Sequence, residues 1–124
     1  MCRVLLLEDD PDVRPLLENI LIADGREVDV AETVAGARAY LAENDYDLVL
    51  ADGMLPDGDG VQVADQAERC GTKTIMLIGD RFSIAADRLY RHEVLFKPVR
   101  PAELLSSIYR HIGPGRMAEM IGAR

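Results

Sequence analysis

Cysteine is scarce in this chain. Only Cys2 and Cys70 occur in 124 residues, at no metal-ligand spacing, so neither a disulfide framework nor a zinc site is expected, and the reducing cytoplasm is the natural compartment. No apolar run approaches the roughly 18 residues of a membrane span and no signal-peptide pattern opens the chain, so neither a membrane nor export by the usual route is expected. Bases are in the minority, 14 against 22 acids, and the formal charge of -8 comes with no clustered basic face. Nucleic acid is therefore not an expected partner. With 48% hydrophobic and 29% charged residues the composition suits a soluble globular chain, and the length suits one domain.

What is there begins with VLLLEDD, residues 4 to 10. Four apolar side chains in a row suit a strand buried on both faces, and the charges begin where that strand would surface. Glu8, Asp9 and Asp10 repel one another: two carboxylates about 4 Å apart cost on the order of 4 kcal/mol at an effective dielectric near 20. A bound cation, a basic side chain or solvent has to relieve this, and the heptapeptide alone leaves all three open.

Further along, Val13, Leu16, Leu17, Ile20 and Leu21 line one face of a helix over about Pro11 to Asp24, closed by Gly25, with Pro15 awkward for its boundary. Glu27 to Val30 reads as a second strand, and Thr33 caps a helix that turns Val34, Ala37, Tyr40 and Leu41 inward. DLVLAD, Asp47 to Asp52, is a third strand and also ends in an acid. The turn GMLPDGDG leads to a helix with Val61, Ala64 and Ala67 inward; Asp59 reads as its N-cap, Asp57 as a turn or cap residue, and Asp10 as a helix-start charge. TIMLI, residues 74 to 78, is a fourth strand, and a short helix over Ser83 to Arg91 precedes a fifth, Glu93 to Phe96. Pro101 opens a last helix with Leu104, Leu105, Ile108 and Ile112 inward. His92 and His111 lack neighbours at ligand spacing and read as surface residues. Residues 1–112 are thus expected to form the domain, with 113–124 a short tail, no second core and no effector domain.

Short apolar strands alternating with helices predict an α/β fold, a doubly wound five-stranded parallel sheet of flavodoxin-like order 2-1-3-4-5 with helices on both faces. Ligands of such sheets bind at the carboxyl ends of the strands. That rule gathers Glu8 and Asp9, Asp52, Gly79 and Lys97. Three carboxylates and a lysine suit Mg²⁺, which takes oxygen ligands, together with a phosphoryl group whose oxygens the lysine can pair. A carboxylate at the edge of that arrangement can itself be the nucleophile, giving an aspartyl phosphate. An EF-hand is excluded, because its acid, Gly and final Glu spacing is absent.

At these residues the chain resembles a stand-alone response regulator receiver domain of two-component signalling. LLLEDDPDVR is similar to the family's first strand and acid pair, DLVLADGMLPDGDG to its phosphoacceptor segment, and FKP to its lysine-proline after the fifth strand. The resemblance implies Asp52 as phosphoacceptor and Mg²⁺ held by Asp9, by Glu8 mainly through water, by Asp52 and by the Met54 backbone carbonyl. It further implies Lys97 on the phosphoryl oxygens and a cis peptide before Pro98. The implied partner is a histidine kinase or histidine phosphotransfer protein, with an unnamed downstream protein and a second copy of the chain as further candidates. No separate substrate is implied; the domain would catalyse only its own phosphorylation and dephosphorylation.

Three departures qualify the resemblance. The hydroxyl that receivers carry at the end of the fourth strand falls on Ile78, or on Gly79 in a register one later, and the aromatic three positions before the lysine falls on Val94. Phe96, beside the lysine, is expected on the other side of the strand from Val94. The stretch between Gly79 and Lys97 is also short by roughly one helical turn of about 3.6 residues. Three readings stay open: a phosphoacceptor, an interaction module with little phosphorylation-dependent output, and a phosphohydrolase using Asp52. The last lacks the general acid two residues on, where Met54 stands.

Overall fold

A computed structural model describes residues 3–79 and 92–118; the short helix expected over Ser83 to Arg91 lies outside the described residues. Strand β1 spans Arg3–Leu7, β2 Glu27–Ala31 and β3 Leu48–Asp52; β6 spans Lys73–Ile78 and β7 Glu93–Phe96. Between β3 and β6 two short strands, β4 (Met54–Leu55) and β5 (Gly58–Asp59), pair as an antiparallel hairpin. Helices α1 (Val13–Ala23), α2 (Val34–Glu43), α3 (Gly60–Arg69) and a fourth, α4 (Pro101–Ile112), connect or follow the strands. The main sheet runs β2-β1-β3-β6-β7 with every pair parallel, which is the doubly wound order expected for its five strands.

Parallel strands buried on both faces need apolar side chains at every position, and alternation sends neighbours to opposite layers. Leu5, Leu7, Val49, Ala51, Met76 and Ile78 pack with α2 and α3; Val4, Leu6, Leu48, Leu50, Ile75 and Leu77 pack with α1 and α4. Val94 joins the first layer and Leu95 the second, so Phe96 returns to the side of Val94, contrary to the expectation, and is 71% exposed there. Residues two apart on a strand share a face.

Helix α1 starts at Val13, later than Pro11, which resolves the difficulty at Pro15: in the first turn its missing N–H costs no hydrogen bond. The Asp10 carboxylate accepts from the Asp12 and Val13 amides at that end. Gly25 (φ 83°) closes the helix in a left-handed turn, with its N–H on the Ile22 carbonyl. Tyr40 is exposed on α2 and does not face inward; Val34 and Ala37 carry that face. Beyond α4, residues 113–118 fold back onto the α1–β2 corner, where buried Asp24 accepts from Tyr109 Oη (2.8 Å), the Met117 N–H (2.6 Å) and Arg26 Nε (3.1 Å). Among the described residues no helix is long and apolar enough to cross a membrane.

Candidate functional site

Registration of the strands decides which side chains meet. Leu7 pairs with Ala51 and Asp52 with Leu77, so Glu8, one past β1, and Asp52, last in β3, emerge side by side at the carboxyl edge. Asp9 follows, and oxygens of Glu8, Asp9 and Asp52 all lie within 4.8 Å of one another. Lys97, the first residue past β7, reaches across β6: its Nζ stands 2.8 Å from Glu8 Oε1 and 3.3 Å from Asp52 Oδ1. The following Lys97–Pro98 peptide bond is cis.

Glu8 is fully buried and Asp52 is 8% exposed. Burial lifts the Glu8 pKa to about 7; the Lys97 hydrogen bond opposes that rise and the Asp52 charge adds to it. For Lys97, burial works against the ammonium, but the hydrogen bond to Glu8 and the charge of Asp52 outweigh it and hold its pKa above the ordinary lysine value. The lysine therefore remains a cation. Three hard carboxylates at this spacing fit a divalent cation with oxygen ligands, and the lysine stands on the same cleft to oppose further negative charge.

The loop after Asp52 is drawn tight. Gly60 donates its N–H to the Gly53 carbonyl (3.0 Å), Gly53 donates to Leu77 (3.1 Å), and a Cβ on Gly60 would stand 1.8 Å from the Asp52 carbonyl oxygen. Only glycine permits this approach. Asp59 caps α3 by accepting from Gln62 N–H (3.1 Å), as its position predicted. Asp57 reaches elsewhere: it accepts from Val34 N–H (2.8 Å) and Ala35 N–H (3.0 Å) at the start of α2, and those amides hold its carboxyl below the usual carboxylate value.

A family model for the response regulator receiver domain matches residues 4–109. The chain belongs to that family. Among curated relatives, the transcriptional regulatory protein GltR of Pseudomonas aeruginosa is 34% identical over 113 residues, which is 85% of this chain and 46% of the relative. This chain spans less than half the length of such relatives. Among solved structures, a CheY-like receiver domain protein from Methanospirillum hungatei superimposes with a TM-score of 0.82 at 27% identity, covering 90% of this chain and 94% of that one. The response regulator TrrA of Thermotoga maritima, solved with Mg²⁺ and BeF, gives 0.78 at 29% identity over 89% and 98% of the two chains. A structure of TrrA with the histidine kinase ThkA gives 0.79 at 27%, over 91% and 100%.

At the positions where a receiver is expected to carry its hydroxyl and aromatic, this one is apolar. Ile78 is buried in the α2–α3 layer, Gly79 has Lys97 Cδ, among the described residues, 4.0 Å from where its Cβ would stand, and Val94 packs half-buried against the same layer as Ile78. Beside the acidic cleft, α1 and the segment after β7 enclose an apolar groove of about 400 Å³ that includes Val13, Leu16, Leu77, Lys97, Pro98 and Val99. Leu16 is 64% exposed on it.

Of the two histidines expected at the surface, His92 is instead buried, whereas His111 is partly exposed. The His92 Nε2 stands 2.7 Å from Asp65 Oδ1 and its Nδ1 2.5 Å from Thr74 Oγ1. An ionised carboxylate can only accept, so Nε2 donates to Asp65, while Nδ1 shares its hydrogen bond with the Thr74 hydroxyl. His111 is half-buried, with Nδ1 2.7 Å from the Ser107 carbonyl. The partners of His92 lie 27 and 18 residues away, beyond any spacing rule. Asp57 was read as a residue of its own turn or cap; its bond to α2, 23 and 22 residues off, had no local signal either.

Proposed function

We propose that this protein accepts a phosphoryl group on Asp52 from a histidine kinase or histidine phosphotransfer protein, with Mg²⁺ held by Glu8, Asp9, Asp52 and the Met54 backbone carbonyl. The observation that carries this reading is the meeting of Asp52 with the acid pair on one side and the Lys97 ammonium on the other. In the transfer, a carboxylate oxygen of Asp52 bonds to phosphorus as the P–N bond of the donor phosphohistidine breaks. The departing imidazole keeps the electron pair and takes a proton from solvent. When bound, the cation offsets the charge shared by the carboxylates and phosphoryl oxygens. Lys97 turns its ammonium from Glu8 to a phosphoryl oxygen, and its position on the cleft wall orients the incoming group.

The groove between α1 and the segment after β7 is the natural seat for the donor, because it is apolar and shares Lys97 with the acceptor site. TrrA, the Thermotoga relative, supports both expectations by its complexes with Mg²⁺–BeF and with a histidine kinase. The protein turns over no separate substrate; it is a phosphoacceptor that catalyses its own modification. A second reading, an interaction module with little phosphorylation-dependent output, is favoured by Ile78, Gly79 and Val94, which supply neither hydroxyl nor aromatic ring. Incubation with Mg²⁺ and acetyl phosphate should add one phosphoryl group by intact mass, and a chelator should prevent it. No adduct from acetyl phosphate or from an autophosphorylated histidine kinase would contradict the phosphoacceptor reading.

A further inference from the structure

The acceptor loop is held at its tip as well as at its base. At the base, Gly60 and Gly53 close on each other below Asp52. At the tip, Asp57 takes two amides of α2, and two more contacts tie α2 to this region, one to α3 and one to the loop. Arg38 Nη2 donates to Gln62 Oε1 (3.3 Å), and Val34 Cγ2 lies 3.4 Å from where a Cβ on Gly58 would stand. Helix α2 does not depend on Asp57 for its cap, since Thr33 Oγ1 already accepts from Gly36 N–H at 2.9 Å. The Asp57 bonds therefore link two elements that are each closed without them.

On the other side of the acceptor strand the ladder to β6 holds the backbone, with Asp52 paired to Leu77 and Gly53 N–H on the Leu77 carbonyl, but Ile78 and Gly79 add no hydroxyl there. Movement of the 53–59 loop must either carry the start of α2 with it or stretch two charge-assisted bonds past their working length.

We propose that Asp57 is a positioning residue that couples the acceptor loop to α2, so that occupancy at Asp52 is read out at the amino end of α2. The proposal rests on the cation and phosphoacceptor reading of the site. Coupling of this kind is reciprocal: if cation binding biases the Asp57 bonds, those bonds bias cation binding by the same factor.

The test is a Mg²⁺ titration of the full chain followed by amide chemical shifts, in the parent, Asp57→Ala and Asp57→Asn proteins. In the parent, Val34 and Ala35 should shift along the same saturation curve as Gly53 and Met54. In Asp57→Ala the loop amides should still respond while Val34 and Ala35 fall silent, and Mg²⁺ should bind about five-fold more weakly, the low end of typical coupling. Asp57→Asn, which loses the charge but keeps one acceptor oxygen, should retain part of the α2 response. Circular dichroism should report the same helix content in all three. An α2 response that survives Asp57→Ala, or is missing in a parent whose loop responds, overturns the coupling and leaves the site reading intact. A parent with no Mg²⁺-dependent shift at Gly53 or Met54 overturns the site reading and the coupling with it.

Discussion

Glu8 is the residue with most to lose by being where it is. Its pKa of about 7, against 4.5 for a free glutamate, means that the folded chain holds this proton more tightly than the unfolded one. The stability Glu8 contributes is therefore complete below about pH 4.5 and is lost as pH rises through about 7. Cation binding has the opposite sign, because it needs the carboxylate. Mg²⁺ affinity should climb with pH to a plateau above about 7, and calorimetric titrations at several pH values should show Glu8→Gln to be weaker and nearly flat. An equally steep profile in Glu8→Gln would assign the titration elsewhere. Lys97 separates metal binding from chemistry. Lys97→Ala should leave Mg²⁺ bound but slow phosphorylation by acetyl phosphate about 10²-fold, the usual cost of one charge-stabilising donor. Equal rates would remove Lys97 from the reaction. Glu8, Asp9, Asp52 and Lys97 could be read from sequence because each sits at the end of a contiguous apolar strand, where topology alone brings them together. His92 could not, since its identity as a buried residue depends on Asp65 and Thr74 closing around it.

Among the elements, the five main strands and four described helices were legible because their apolar patterns are uninterrupted, and their bounds moved by only one or two residues. Tyr40 broke the pattern because an aromatic ring on the helical stripe can still lie at its edge. The links between elements were less legible: Asp57 holds α2 across 22 or more residues, and Thr33 caps it locally. The sequence did predict one missing link. With no hydroxyl at Ile78 or Gly79, a phosphoryl group has little with which to favour one arrangement of β7 over another. A beryllium fluoride adduct should therefore move the amides of Glu93 to Phe96 less than those of Gly53 and Met54. Shifts of equal size in both stretches would reveal a route through β7 that needs no hydroxyl.

For the molecule as a whole, the segment after Ile112 was expected as a tail without a core, and through Ala118 it is packed against the domain. The Asp24 side chain is fully buried and that of Arg26 nearly so; Arg26 also donates to the Gly113 carbonyl at 2.7 Å. A Cβ on Gly115 would stand 2.3 Å from Asp24 Oδ2. No sequence pattern announces such a clasp, because its partners are drawn from the α1–β2 turn, α4 and the tail. Asp24→Ala strands a buried guanidinium, and chemical denaturation should record a loss of about 3 to 5 kcal/mol, with the acceptor site intact. A loss below about 1 kcal/mol would show that solvent reaches Arg26 readily. The account as a whole stands on Asp52. Peptide-level mass spectrometry after treatment with Mg²⁺ and a small phosphodonor should find phosphate on the Asp52 peptide alone, and Asp52→Asn should abolish it. Phosphate gained by the Asn variant as readily as by the parent would contradict the account.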